Sequence, residues 1–238
     1  MRCRPRALPA RGRPRRRGGG VRGFGSAPAA PDAPQRYRLL SLGRLVERKG
    51  VATVVEALPS LPDAELVIAG GPGADEVAAD PEARRLHELA TRLGVVHRVR
   101  FVGSVPRADV PALVRRADVV VATPWYEPFG IVPLEAAACG RPLVGTAVGG
   151  LLDSVEDGVT GLLVPPRDPV ALADALGRLL ADPGLRTSLG AAARRRALDR
   201  YGWDRVADRT VAAYAAVGAG ARVGPDIGGM VAGKVSAR

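Results

Sequence analysis

The sequence predicts an α/β protein in which helices cover both faces of a single, doubly wound parallel sheet. Three observations support this fold class. Short apolar runs rich in Val, Leu and Ile alternate with helical patterns of about ten to fifteen residues, as in successive βαβ units. The chain of 238 residues, 47% of them hydrophobic, is large enough to bury such a core. No apolar run in the sequence approaches the roughly 18 residues of a membrane-spanning helix.

Six short runs are predicted as strands, because each is apolar and is bounded by turn residues. They are Tyr37–Leu42, Glu65–Ala69, Val99–Val102, Asp118–Ala122, Pro142–Thr146 and Gly161–Val164. In a parallel α/β sheet, ligands bind outside the carboxyl ends of the strands. The turns that follow these runs are therefore expected to carry the functional residues.

Helices are predicted where apolar residues recur at helical spacing, with Pro near the first turn or Gly after the last. They are Gly50–Leu61, Pro81–Leu93, Arg107–Ala117, Gly130–Cys139, a short helix after Gly149-Gly150, Pro169–Ala181, Pro183–Tyr201 and Trp203–Val217. The last of these is amphipathic. Its apolar side chains, Trp203, Val206, Val211 and Tyr214, are expected to make apolar contacts.

The formal net charge of +11 is concentrated at the two ends of the chain. Residues 1–36 hold ten Arg against one Asp, and residues 218–238 hold three basic residues against one Asp. Residues 37–217 hold 22 basic and 22 acidic residues, so this part is neutral. A neutral folded part does not favour a polyanion-binding face, and no nucleic-acid partner is expected.

The composition divides the chain into a disordered Arg/Gly/Pro-rich leader (1–36), a folded domain (37–217) and a flexible Gly-rich tail (218–238). A leader that binds nucleic acid, or makes peripheral contact with an anionic membrane, is the alternative interpretation. The leader has no apolar segment typical of a secretory signal. The two cysteines, Cys3 and Cys139, form no disulfide framework. A cytoplasmic, reducing compartment is therefore expected.

A basic turn, Gly43-Arg-Leu-Val-Glu-Arg-Lys-Gly50, lies between the first strand and the first helix. Arg44 offers a planar fork of donors and Lys49 a compact charge, a combination suited to a diphosphate. The alternative is a solvated surface loop, and Arg48 is expected to point away from the turn.

A second turn carries two carboxylates, Glu127 before the helix that opens at Gly130 and Glu135 within it. A strand, a tight turn and a helix amino end form an anion site, because the first N–H groups of the helix lack internal partners. Glu135 lies in an apolar stretch and needs a partner. A ribose diol would supply two donors, and a salt bridge to Arg141 is the alternative.

Phe129 and Gly130 lie between the two carboxylates. Gly130 permits a ligand to approach the backbone, whereas Phe129 either borders the ligand or packs in the core. The sequence contains no Asp-x-Asp pair and no His/Cys/Asp cluster. A diphosphate would therefore be neutralised by Arg44, Lys49 and a helix end, and neither a metal nor another cofactor is expected.

Four motifs occur in order over about residues 37–217: GRLVERKG, RVRFVGSV, EPFGIVPLE, and AVGG followed by DGVTGLLVPPRDP. Together they resemble the carboxy-terminal, donor-binding domain of retaining GT-B glycosyltransferases. More narrowly, they are similar to glycosyltransferase family 4, with its glycosyl transferases group 1 domain. The resemblance implies that the sheet is a Rossmann-like domain forming one half of a GT-B fold, with a nucleotide-sugar donor as its ligand.

The resemblance also implies roles for single residues. Arg44 and Lys49 would hold the leaving diphosphate, and Glu127 would contact the donor sugar, so these three are the expected catalytic residues. Glu135 would take the ribose hydroxyls and Val105 would border the base. The residues expected to bind the donor are Gly43, Val105, Phe129, Gly130, Ile131, Val132 and Glu135.

The implied function is metal-independent transfer of a sugar from a nucleoside diphosphate sugar to an acceptor, with retained anomeric configuration. The amino-terminal Rossmann domain of the family, which supplies the acceptor site, has no counterpart in the sequence. A fragment is therefore expected, with that domain missing or separately encoded. The alternative is a nucleotide-sugar-binding module that does not turn its ligand over. Leu151-Leu152-Asp153 stands where many relatives carry Pro and Glu, so this turn is given no role.

Overall fold

The computed structural model of the chain describes residues 36–218. The predictions of a disordered leader and a flexible tail concern residues that lie, apart from Arg36 and Gly218, outside the described residues.

Six strands form one sheet in which every neighbouring pair is parallel. They are β1 (Tyr37–Leu42), β2 (Ala64–Ala69), β3 (Val99–Gly103), β4 (Val119–Ala122), β5 (Leu143–Thr146) and β6 (Leu162–Val164). Their spatial order is β3-β2-β1-β4-β5-β6. This arrangement confirms the predicted α/β class with a doubly wound, Rossmann-like parallel sheet.

Eight α-helices lie in the described part of the chain: α1 (Val51–Ala57), α2 (Pro81–Arg92), α3 (Val110–Arg115), α4 (Ile131–Ala138), α5 (Gly150–Ser154), α6 (Pro169–Ala181), α7 (Pro183–Tyr201) and α8 (Trp203–Gly218). The first predicted helix is divided, since α1 ends at Ala57 and a 3₁₀ turn follows over Leu58–Ser60. Pro59 explains the change, because it has no N–H to donate to the preceding turn.

The core has two layers, one on each face of the sheet, because successive strand residues point to opposite faces. Leu39 of β1 and Val119 of β4 belong to the layer covered by α1, α2 and α6. Leu40 and Val120 belong to the other layer, which α3 and α4 cover. Burial on both faces explains why the strands read as continuous apolar runs.

The strand order reverses between β1 and β4. From β1 the chain proceeds outward through β2 to β3, and from β4 it proceeds outward in the other direction through β5 to β6. The two central strands pair with Leu39 opposite Val119 and Leu40 opposite Val120. The loops that leave their carboxyl ends, residues 43–50 and 123–130, therefore meet at the topological switch point, where ligands of such sheets bind.

The apolar contacts expected for the last helix are not made within the described residues. In α8, Trp203 is 70% exposed, Val211 68% and Tyr214 76%. This helix does not pack on the sheet, because α1, α2 and α6 already cover one face and α3 and α4 cover the other. No helix in residues 36–218 combines the length and hydropathy that a membrane crossing demands.

Candidate functional site

The basic loop after β1 is held in shape by a short 3₁₀ turn, Glu47–Lys49, and by Gly50. Gly50 adopts a left-handed conformation with φ of 67°. A Cβ atom at this position would lie 1.8 Å from the carbonyl oxygen of Thr123. Only glycine permits both the backbone angle and this close approach, so the two loops are in direct contact at this point.

Besides an ion pair, three hydrogen bonds join the basic loop to the loop after β4, which we call the acidic loop (residues 123–130). Thr123 Oγ1 donates to the Gly50 carbonyl at 2.8 Å. The Trp125 N–H donates to the Arg48 carbonyl at 3.2 Å, and Arg48 Nη1 donates to the Tyr126 carbonyl at 3.4 Å. Arg48 bridges the two loops and is not among the residues that line the cleft beside them.

An ion pair between Lys49 and Glu127 lies at the centre of this contact. The side chains are 20% and 15% exposed. Burial acts to raise the pKa of Glu127, but the hydrogen bond and charge of Lys49 outweigh it. The N–H groups of Gly130 and Phe129 act in the same direction, so the pKa lies below its usual value. Glu127 is therefore an ionised acceptor at neutral pH.

The acidic loop is also held from the far side. The Gly150 N–H donates to the Glu127 carbonyl at 2.8 Å, and Gly130 N–H lies 3.4 Å from Glu127 Oε1. Gly130 has φ of 69°, and a Cβ there would lie 2.8 Å from the Gly150 carbonyl oxygen. Two loops therefore fix the backbone that presents Glu127.

A shallow cleft, open to solvent, lies at this point. It is lined by Gly43, Arg44 and Lys49 of the basic loop, by Glu127 of the acidic loop and by Val132 of α4. Arg44 is exposed, and its guanidinium has no hydrogen bond or ion pair with another described residue. The structure thus brings the three predicted catalytic side chains to one cleft.

The start of α4 adds backbone donors to the same edge. Helix geometry leaves the N–H groups of Ile131 and Val132 without acceptors inside the helix. Phe129 is 70% exposed and Ile131 is 63% exposed. The alternative that Phe129 packs in the core is therefore wrong, because the backbone turn at Gly130 directs the residues before and after it to solvent.

Glu135 lies about one turn into α4, half-buried, and does not line the cleft. Burial raises the pKa of Glu135, and the charge of Arg107 opposes this only in part. Arg141 instead donates to the Arg115 carbonyl. The alternative of a salt bridge between Glu135 and Arg141 is therefore wrong, and the carboxylate has no hydrogen-bond partner among the described residues.

Val105 lies beyond β3, two strands away from β1, and packs half-buried against the layer covered by α3 and α4. It does not line the cleft. No group of three or more His, Cys, Asp or Glu side chains that could hold a metal occurs among residues 36–218.

Sequence reasoning did not find several residues that shape the site. The apolar lining includes Leu45, Val51, Ile68, Pro124 and Leu151. Their type gives no signal, because buried apolar residues occur throughout such a chain. The guanidinium of Arg167, 4.2 Å from the ring centroid of Trp125, was also not foreseen, since 42 positions separate them along the chain.

Fold and cleft together define a class: an α/β domain with a basic loop, an acidic loop and a helix start at the switch point of a doubly wound parallel sheet. The family model for glycosyl transferases group 1 matches residues 28–196. The chain belongs to this family, which confirms the resemblance drawn from the four motifs.

Individual relatives agree with this assignment. D-inositol 3-phosphate glycosyltransferase of Salinispora tropica is 41% identical over 183 residues, which are 73% of this chain and 37% of that protein. Sucrose-phosphate synthase of Thermosynechococcus elongatus superposes with a TM-score of 0.70 at 36% identity, over 78% of this chain and 46% of the other. HepE of Anabaena, solved in complex with UDP-glucose, gives 0.68 at 29% identity, over 76% and 49%. The chain thus spans less than half the length of these relatives.

Proposed function

We propose that this chain binds the donor in a glycosyltransferase reaction that moves a sugar from a nucleoside diphosphate sugar to an acceptor. Residues 37–217 would form the binding domain. The observation that carries the proposal is the meeting of Arg44, Lys49 and Glu127 in one cleft at the switch point between β1 and β4.

The proposed ligand is a UDP-sugar. HepE, whose fold this chain shares at 29% identity, was solved in complex with UDP-glucose. A diphosphate needs two or more donors at a cleft open to solvent, and Arg44, Lys49 and the N–H groups at the start of α4 supply them. The hydroxyls of a sugar need an acceptor nearby, and ionised Glu127 supplies it.

In the proposed reaction, the bond between the sugar and the diphosphate breaks and negative charge develops on the leaving phosphate oxygens. Arg44 and Lys49 are positioned to stabilise that charge without a bound metal. Preorganised donors of this kind contribute roughly 2.7–4 kcal/mol each to transition-state stabilisation. Retention of the anomeric configuration is proposed from the family resemblance alone.

Lys49 must change partners when the donor binds. In the described structure its ammonium pairs with Glu127. The diphosphate would take this ammonium, and the sugar hydroxyls would take the Glu127 carboxylate. Each charged group thereby keeps a partner, which avoids the cost of leaving a partly buried charge alone.

Glu135 is proposed to accept hydrogen bonds from the ribose hydroxyls. Its carboxylate is half-buried and has no hydrogen-bond partner among the described residues. A diol with two donors would satisfy it, which supports the role that the family resemblance implies.

The acceptor site is proposed to lie on a second domain. The chain covers 37% of the Salinispora relative and 46% of the sucrose-phosphate synthase chain. One wall of a cleft cannot exclude water or orient two substrates. We therefore expect residues 37–217 to bind the donor and expect transfer to need a second domain as well.

Calorimetry on the full chain tests the proposal. UDP, GDP, ADP and UDP-glucose are titrated into the wild-type chain and into Lys49→Ala. We expect saturable binding of one nucleoside diphosphate and of its sugar conjugate, and a large loss for the variant. Equal and weak responses to all four ligands, unchanged by the substitution, would contradict a donor site.

A further inference from the structure

Arg167 has a strained backbone. Its φ is 59°, and every other residue with positive φ in residues 36–218 is a glycine. A long side chain is uncommon in this left-handed region, which Gly and Asn occupy more readily. Strained residues of this kind are concentrated at functional sites, so the arginine side chain at this position requires an explanation.

The surrounding loop holds Arg167 in this conformation. Pro165 and Pro166 precede it and restrict the chain on that side. Asp168 follows it and caps α6, accepting hydrogen bonds from the N–H groups of Val170 and Ala171 at 3.1 and 2.9 Å. The loop between β6 and α6 thus determines the direction in which the arginine leaves the backbone.

That direction leads to the acidic loop. The guanidinium carbon of Arg167 lies 4.2 Å from the centroid of the Trp125 ring, well within the range of a cation–π contact. Trp125 is half-buried, and only Tyr126 separates it from Glu127. The contact therefore joins the edge of the sheet at β6 to the segment that presents the Glu127 carboxylate.

The backbone of the acidic loop is fixed near both ends of this segment. Pro124 accepts a hydrogen bond from Thr146 Oγ1, and Glu127 accepts one from the Gly150 N–H. Between these two points the Trp125 N–H and the Tyr126 carbonyl are hydrogen-bonded to Arg48, and Arg167 covers the ring of Trp125. Loss of the guanidinium would remove the contact that orients this ring and would let the nearby Glu127 side chain shift, while the backbone stays anchored.

We propose that Arg167 is a positioning residue, which holds Trp125 and thereby keeps Glu127 directed at the sugar of the bound donor. This inference rests on the proposed function, because it assigns Glu127 to the sugar and Lys49 to the diphosphate. Loss of Arg167 is therefore expected to weaken binding of the sugar and to leave binding of the diphosphate unchanged.

The experiment compares two ligands, UDP and UDP-glucose, on the full chain by calorimetry. In Arg167→Asn the guanidinium is removed while the left-handed backbone is retained, because Asn adopts that conformation. We expect Kd for UDP-glucose to rise about three- to fivefold, in line with an exposed cation–π contact. Kd for UDP should stay the same, and Tm should not fall.

Conservative variants separate the contact from general damage. Arg167→Lys keeps a cation over the ring and should bind UDP-glucose nearly as the wild type does. Trp125→Phe keeps a ring and should do the same, whereas Trp125→Leu should reproduce the Arg167→Asn defect.

Tryptophan fluorescence follows the contact directly. The sequence has two tryptophans, so in Trp203→Phe the fluorescence comes from Trp125 alone. Adding Arg167→Asn to that variant should shift the emission of Trp125.

The possible outcomes are distinct. If the wild-type chain binds UDP and UDP-glucose but Arg167→Asn leaves their ratio unchanged, the positioning role is wrong while the proposed function stands. If both ligands weaken equally, Arg167 contacts the diphosphate directly, which also overturns positioning. If the wild-type chain binds neither ligand, the proposed function fails, and the positioning role fails with it.

Discussion

Two partly buried cations lie at opposite ends of the sheet. Arg98, just before β3, is 8% exposed and donates to three backbone carbonyls: those of Leu58 at 2.9 Å, Leu61 at 2.6 Å and Ala64 at 3.0 Å. Lys49, beyond the carboxyl end of β1, is 20% exposed and pairs with the Glu127 side chain. The first has only backbone acceptors among its described hydrogen bonds, and the second has a carboxylate.

In the proposed function, this difference separates a structural cation from a ligand-binding one. The carbonyls around Arg98 belong to the connection between α1 and β2 and to Ala64, the first residue of β2, so they cannot leave without local unfolding. The partner of Lys49 is a side-chain carboxylate at the open edge of the sheet, and phosphate oxygens would take its place when the donor binds. We therefore propose that Lys49 is available to a ligand, whereas a cation enclosed by backbone carbonyls is not.

The largest effect is expected at Lys49, the cation assigned to the ligand. Lys49→Ala, assayed together with an amino-terminal domain supplied in trans, should lower kcat about 100- to 1000-fold, because one preorganised donor to the leaving diphosphate is lost. Steady-state kinetics with UDP-glucose would measure this. The control is Arg195→Ala, an exposed substitution on α7. A kcat near the wild-type value would remove Lys49 from the mechanism.

The second effect is expected at Arg98, the cation enclosed by backbone carbonyls. Arg98→Met should lower the free energy of unfolding by about 2–4 kcal/mol, because three buried carbonyls lose their donor. Denaturant titration measures this, and calorimetry at low temperature should give an unchanged Kd for UDP. A stable Arg98→Met variant with weakened UDP binding would reverse the comparison between the two cations.

A third variant removes the charge that Lys49 pairs with. Glu127→Gln should tighten UDP about two- to fivefold, since the diphosphate no longer competes with a carboxylate, and it should weaken discrimination in favour of UDP-glucose. Calorimetry with both ligands measures this. Weaker UDP binding in the variant would show that the ion pair prepares Lys49 for the diphosphate rather than occupying it.

The same residue gives a pH dependence whose sign is fixed. The pKa of Glu127 is lowered in the folded protein from an ordinary value of 4.5. Its contribution to stability is therefore present above about pH 4.5 and is lost as the pH falls through the lowered pKa. Unfolding free energies measured from pH 6 downward should decline less steeply in Glu127→Gln than in the wild type.

The smallest effect concerns Glu135, whose carboxylate has no hydrogen-bond partner among the described residues. The pKa of Glu135 is raised, so the wild type loses stability as the pH rises from about 4.5 through the raised pKa. Glu135→Gln should remove that loss and raise Tm at pH 7 by about 1–3 °C, a modest gain because the group is only half-buried. Equal Tm values at pH 4 and a gap at pH 7 are the expected signature.

Local signals in the sequence predicted the helices at the end of the domain accurately. The bounds of α6 and α7 match the prediction, because Pro169 and Pro183 occupy the first helical position of each. Asp168 and Asp182 cap the two helices. The third predicted helix, by contrast, is confined to Val110–Arg115. Pro111 lies in its first turn, but Asp109 before it makes no capping hydrogen bond.

Tertiary contacts could not be predicted from local signals alone. The meeting of the basic and acidic loops was predicted because ligands bind at the carboxyl ends of the strands and because the motifs resemble a known family, although no local pattern encodes the pairing of β1 with β4. No such rule predicted the hydrogen bond from Arg48 to an acceptor 78 positions away or the position of Arg167 above Trp125. For α8, apolar contacts were predicted at Trp203 and Tyr214, but both side chains are exposed. An amphipathic pattern does not reveal whether another element covers the apolar face.

The close approach of Gly50 to the Thr123 carbonyl has a mechanical consequence. The basic and acidic loops are in direct backbone contact, so the fold itself sets their separation. A ligand that enters the cleft does not have to order either loop, so little conformational entropy is lost at that moment. Amide hydrogen exchange along both loops should therefore be slow even before any nucleotide is added.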